Sequence, residues 1–180
     1  MSLSMRLDVS GLDKILVEIQ EELDDAARPA AQAGAQVLYE AVIQNVQSLG
    51  RVTGNLASSI YQAYSRDNSW KGRATYHVSW NAQKAPHGHL IENGHWQYFV
   101  TYRNASGETR TVIRPSMRGK PPPSSRASIA EKSRYFVPLQ QPRWVPAKPF
   151  IRPAQAQFGA AQEAAEKALL DRLQERGIVR

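Results

Sequence analysis

The chain has no cysteine among its 180 residues. Disulfides, thiolate metal sites and a cysteine nucleophile are therefore excluded. Long hydrophobic runs are missing too: no stretch approaches the roughly 18 apolar residues of a membrane span. The N-terminal segment MSLSMRLDVSG lacks the apolar core of a signal peptide. These absences fit a protein of a reducing compartment and predict no membrane segment.

Sequence signatures of the common enzyme classes are also missing. There is no GxGxxG or GxxxxGK[ST] phosphate loop and no GxSxG nucleophile elbow. A glycosidase-type carboxylate pair would have to come from the acidic first helix, where a solvated face is the simpler interpretation. We therefore predict no catalytic residue, no cofactor and no enzyme activity.

The histidines are the one feature that resembles a metal site. His87, His89 and His95 lie close to Glu92 in the sequence, and His77 precedes them on a predicted strand. Zinc accepts such ligands, but the HExxH order is missing, and residues 89, 92 and 95 would share a helical face only approximately. We prefer surface or hydrogen-bonded histidines and predict no metal, with a histidine–metal hydrolase as the alternative.

Charge is distributed unevenly along the chain, whose net charge is +7. Residues 1–50 carry three basic and eight acidic side chains, whereas residues 103–134 carry eight basic and two acidic ones. A chain with an acidic end and a basic end can associate head to tail with its own copies, or can present its basic part to nucleic acid. The basic residues of the second stretch are Arg103, Arg110, Arg114, Arg118, Lys120, Arg126, Lys132 and Arg134.

Residues 104–134 are predicted to form an inserted arm. The segment is rich in proline, serine and basic residues and is too polar to form a packed core. Its cations could neutralise DNA phosphates without sequence preference. We prefer the alternative, in which they bind acidic patches on a neighbouring subunit during assembly.

Hydrophobic periodicity predicts long helices at both ends of the chain. A short strand at residues 5–9 precedes a helix over about residues 12–27, and a second helix covers about residues 30–49. Pro29 is placed at a break between these helices, because proline is tolerated at the start of a helix but not in its interior. A last helix covers about residues 154–176.

Alternating apolar and polar residues predict short strands in the middle of the chain. They cover residues 74–80, 97–103, 109–114 and 135–139, with a hairpin turn at 104–107. The predicted fold class is α+β: a small, mostly antiparallel sheet packed by long N-terminal and C-terminal helices, with an extended basic arm or long hairpin loop. We predict a single domain over residues 1–180.

Three short motifs are spread along this frame. The first opens a short helical segment, where a glycine can adopt positive φ and an asparagine can cap the next turn. The third is a proline-rich, extended entry to the last helix, with an apolar anchor. The motif residues are, in order, Thr53, Gly54, Asn55, Leu56, Ser59 and Ile60; then Leu90, Ile91, Glu92 and Gly94; then Pro146, Pro149, Phe150, Ile151 and Pro153.

The three motifs in this order resemble the small tail-completion family of long-tailed bacteriophages, similar to the lambda-type minor tail protein Z. In that family the middle motif typically reads Tyr-x-x-x-Val-Glu-x-Gly-Thr, whereas His87 and His95 occupy its first and last positions here. The stretch that follows, residues 104–134, is also longer than usual. These departures concern local contacts more than the fold.

The resemblance implies a structural role without catalysis. The expected place is the head-proximal end of the tail or the joint between tail and head, in a virion protein assembled in the host cytoplasm. The implied partners are copies of the chain in a ring, taken to be a hexamer, neighbouring neck, connector or tail-tube proteins, and DNA in the channel. A tail terminator or a head–tail connector stopper is the nearest alternative, and a basic DNA-binding module is the alternative of another class.

Overall fold

A computed structural model of the chain describes residues 10–50 and 54–179, with side chains described from residue 16 onwards. The predicted strand at residues 5–9 and the motif residue Thr53 lie outside the described residues. The described helices are α1 (Ser10–Ser48), α2 (Asn55–Ser59), α3 (Gly88–Asn93), α4 (Ile129–Tyr135) and α5 (Phe158–Glu175), with 3-10 helices at Pro115–Met117 and Arg152–Gln157. The described strands are β1 (Ile60–Tyr64), β2 (Tyr76–Trp80), β3 (His95–Phe99), β4 (Thr101–Arg103), β5 (Thr109–Thr111) and β6 (Pro138–Val145).

Helix α1 is continuous and contains Pro29 in its interior. The predicted break at Pro29 and the division into two helices are therefore wrong. A proline removes one backbone N–H and crowds the carbonyl of the preceding turn. However, the buried positions stay in phase across it: Ala26 and Ala30, one turn apart, are both buried. Packing along one uninterrupted face therefore outweighs the local preference of the proline.

The chain divides into two compact units. The first unit comprises residues 1–42, 60–79 and 154–180, and the second comprises residues 43–59 and 80–153. Long helices dominate the first unit, and short strands, helices and loops make up most of the second. The predicted α+β class, with long N-terminal and C-terminal helices and small antiparallel sheets, is confirmed.

In the first unit, small residues let α1 and α5 approach closely. A Cβ atom at Gly34 of α1 would lie 2.8 Å from the carbonyl oxygen of Ala161 and 3.3 Å from the Cβ of Ala165. Ala161 is itself buried, as is Val42 of α1. The alanine-rich helix thus packs directly on another helix.

In the second unit, strands β3 and β6 form one antiparallel pair and β4 and β5 another. The predicted strand at residues 97–103 is split at Val100, whose backbone N–H donates to Val137. The β4–β5 hairpin confirms the predicted turn, and the Tyr102–Arg110 pair marks its register.

The basic segment is a long loop that is closed at its base. Val137 donates its backbone N–H to Val112 and Arg114 donates to Tyr135, at 3.0 and 2.9 Å, so the chain returns to where it left. Helix α4 lies inside the loop, started by a capping box between Ser128 and Glu131. The long hairpin loop is therefore the correct one of the two predicted forms. The strand predicted at residues 135–139 is correct only in its last part. Helix α4 continues to residue 135, Phe136 forms an isolated β-bridge with Ile113, and β6 begins at residue 138.

The close approach at Gly34 gives a testable prediction. Gly34→Ala places a methyl group against backbone in a packed interface, so we expect the free energy of unfolding to fall by about 1–2 kcal/mol. Gly159→Ala is the matched control, because nothing lies within 4 Å of its added Cβ. Gly159→Ala should leave stability equal or raise it by up to about 1 kcal/mol. Equal denaturation midpoints for the two variants in urea would contradict the close helix contact.

Candidate functional site

Glu92, near the end of α3, joins the second motif to the third. The residue is only 6% exposed. Its carboxylate accepts hydrogen bonds from three consecutive backbone N–H groups, those of Phe150 at 2.7 Å, Ile151 at 3.0 Å and Arg152 at 3.1 Å. The Arg152 side chain adds a bond from Nε at 3.2 Å and a second one to the Glu92 carbonyl. We call this arrangement the Glu92 clamp.

The clamp holds a carboxylate in its charged form. Burial raises the pKa of Glu92. The backbone hydrogen bonds from Ile151, Phe150 and Arg152, together with the Arg152 side chain, lower the pKa by more than burial raises it. The pKa therefore lies below its ordinary value. Both carboxylate oxygens are used in this way, so the group acts as an anchor for the backbone.

The proline-rich segment follows α3 closely because Gly94 leaves room for it. Gly94 adopts φ +74°, and a Cβ there would come within 2.9 Å of Trp144, Val145 and Ala147. One residue further along the segment, the backbone N–H of Lys148 donates to the carbonyl of Ile91 at 2.8 Å. A side chain in place of Gly94 would therefore push the segment away from the end of α3.

Phe150 anchors the same segment from the other direction. Its side chain is fully buried, and its ring meets Trp80 edge-on, with centroids 5.6 Å apart. Its carbonyl accepts a hydrogen bond from the Asn45 side chain at 3.0 Å. Trp80 in turn lies against Gly88, where a Cβ would come within 2.9 Å of the indole. Backbone and side chain of Phe150 are thus fixed by three separate parts of the chain.

The first motif builds a short, buried turn. Gly54 adopts φ +78°, as its position in the motif predicts. Leu56 and Ser59 of α2 are buried, and the Ser59 hydroxyl donates to the Leu56 carbonyl at 2.7 Å. The Ser59 carbonyl then accepts the backbone N–H of Asn81 at 2.8 Å. The motif therefore fixes the chain between α1 and the first strand.

The motifs meet at a groove of about 530 Å³ in the second unit. Gly54 and Leu56 of the first motif line it beside Ile91 of the second, and Lys148 lies between the prolines of the third. The other motif residues are placed individually. Asn55 starts α2, and Ile60 is buried in the first unit. Leu90, Pro149 and Ile151 are half-buried, and Pro146 and Pro153 are exposed.

His87, His89 and His95 flank Glu92 along the chain without forming a ligand set. Within the described residues, no group of three or more histidine, aspartate or glutamate side chains is placed to hold a metal ion. His87 and His89 are exposed at the start of α3, and His95 follows Gly94. Across the same residues, no helix is long and apolar enough to cross a membrane.

Three of the eight cations predicted to form the basic arm are bound within their own loop. Arg110 pairs with Glu108 at 3.0 Å, Arg114 donates to the carbonyl of Ser133, and Lys132 donates to the carbonyl of Ser125. The remaining five are exposed: Arg103, Arg118, Lys120, Arg126 and Arg134.

Arg152 is the functional residue that the motifs did not single out. It lies between two motif residues, Ile151 and Pro153, but its partner Glu92 is 60 positions away. Hydrophobic periodicity detects neighbours on one element and cannot pair residues so far apart. The only signal for this pairing in the sequence is an arginine beside the third motif together with a lone glutamate in the second.

The lowered pKa of Glu92 makes the clamp sensitive to acid. Its contribution to stability is complete above the ordinary glutamate pKa of about 4.3 and is lost as pH falls through the lower pKa of the folded chain. We expect Glu92→Gln to reduce the free energy of unfolding at pH 7 by about 2–4 kcal/mol, because its amide cannot accept all of these hydrogen bonds.

Urea unfolding across pH 3 to 7 checks this prediction, with the exposed Glu163→Gln on α5 as the control. The difference between wild type and Glu92→Gln should shrink below about pH 4.3. A difference that does not change with pH would rule out the charged carboxylate as its cause. The control should unfold like the wild type throughout.

Comparison with known proteins supports the motif-based resemblance. Residues 11–94 match the model of the HK97-gp10-like family, described as "Bacteriophage HK97-gp10, putative tail-component". No curated protein and no solved structure matches the chain. The matched region includes the first two motifs and ends at Gly94, whereas the narrower likeness to the lambda-type minor tail protein Z is not confirmed. Over these residues the chain therefore matches a family of bacteriophage tail components, as its sequence motifs predicted.

Proposed function

We propose that this protein is a structural component of a bacteriophage virion that completes the head-proximal end of the tail or joins the tail to the head. The family match over residues 11–94 is the observation that carries the proposal. It covers the first two motifs, residues 53–60 and 90–94.

The geometry of the clamp favours a structural role over catalysis. Glu92 is the most deeply buried carboxylate among the described residues, and its oxygens are engaged by three backbone amides and an arginine. A carboxylate held in this way fixes the chain and has no position left for a substrate or a transferable proton. Rigid surfaces of this kind lose little entropy when subunits assemble.

We further propose that copies of the chain form a ring, taken to be a hexamer, between neck, connector or tail-tube neighbours. The acidic N-terminal and basic middle segments are unlike surfaces, and unlike surfaces in head-to-tail contact close into a ring when the rotation permits. A tail terminator or a connector stopper at the same joint is the alternative within this class.

Electron microscopy of lysates tests the proposed role directly. In a phage whose copy of this gene carries an early stop codon, we expect filled heads beside separate tails of normal length. Supplying the wild-type chain from a plasmid should restore joined particles, and an empty plasmid is the control. Tails of uncontrolled length would favour the terminator instead. Normal infectious particles without the protein would overturn the structural role.

A further inference from the structure

The two units carry opposite net charges. The first unit has ten basic and thirteen acidic side chains, a net charge of −3. The second has thirteen basic and only three acidic side chains, a net charge of +10. The positive excess of the chain is therefore confined to one compact unit.

All three carboxylates of the second unit are engaged within it. Glu92 binds backbone amides and Arg152 in the clamp. Glu108 pairs with Arg110 at 3.0 Å and accepts from Asn104, and Glu131 caps α4 through Ser128. Glu92 and Glu108 thus offset Arg152 and Arg110, and Glu131 interacts electrostatically with Arg134, so three carboxylates face thirteen cations.

Many cations of the second unit point into solvent. In the part of the chain that the structure describes, eight exposed basic residues of this unit form no ion pair: Lys84, Arg103, Arg118, Lys120, Arg126, Arg134, Arg143 and Lys148. Arg118 and Lys120 flank Gly119 on the closed loop, and among the residues that the structure describes only their backbone atoms take part in hydrogen bonds. Their side chains are thus available to a partner.

Copies of the chain cannot neutralise this surface. In a head-to-tail assembly, a unit of charge −3 would face a unit of charge +10, and every added copy brings a further +7. Like charges accumulated in this way repel one another. The surplus remains available to a polyanion from outside the assembly.

We propose that the exposed cations of the second unit bind the phosphate backbone of duplex DNA without sequence preference. Exposed arginines and lysines neutralise phosphates along a duplex, and release of condensed counterions drives such binding. This inference goes beyond the proposed function and does not depend on it, since it rests on charge and exposure alone.

Fluorescence anisotropy of a labelled DNA duplex titrated with the full chain tests the proposal. Two variants remove the same charge: Arg118→Gln with Lys120→Gln in the second unit, and Arg66→Gln with Lys167→Gln in the first. All four side chains are exposed and form no ion pair within the described residues.

We expect wild-type affinity to fall steeply between about 50 and 200 mM salt. The variant of the second unit should weaken binding at least about tenfold near 100 mM salt and reduce the slope of log K against log salt by about 2. The matched variant should bind like the wild type. Because the assay uses purified protein, its outcome is separate from whether heads and tails join.

Three results would overturn the proposal. The first is the absence of DNA binding at about 50 mM salt. The second is an equal loss of DNA affinity in the two variants, which would show that only the net charge of the chain matters. The third is a loss of self-association, measured by sedimentation, in the variant of the second unit with unchanged DNA binding. That last result would show that the loop binds a second copy of the chain instead of DNA.

Discussion

The buried, charged carboxylate of Glu92 needs hydrogen-bond donors from the rest of the second unit. A charge removed from water is costly unless hydrogen bonds replace the water. Here three consecutive amides and one guanidinium do so, and each comes from the same short proline-rich segment. The segment therefore has to run beside α3, and its position brings Phe150 into the core.

This dependence explains why the motifs are informative only together. The first motif alone predicts only the opening of a short helical segment. The prolines of the third motif hold an extended backbone, which presents its amides to a glutamate some 60 positions earlier. Periodicity does not contain that pairing, so the sequence predicts the parts of the site and their order without the contact that joins them.

The fold was predictable where local pattern and tertiary packing agree. The terminal helices and the β4–β5 hairpin follow from periodicity and turn residues. The break predicted at Pro29 is wrong, because the buried positions on both sides of the proline stay in phase. Packing along that face outweighs the one backbone hydrogen bond that the proline cannot donate. The sequence likewise shows that charge is distributed unevenly along the chain. Its separation into units of net charge −3 and +10 depends on the fold.

Amide hydrogen exchange measured by NMR tests the central claim, that one charged carboxylate holds the segment, most directly. The amides of Phe150, Ile151 and Arg152 should exchange slowly in the wild type, because each donates to Glu92. In Glu92→Gln these amides should lose most of their protection while amides in the middle of α5 keep theirs. Unchanged protection of the three amides in the variant would show that the segment is held by something else.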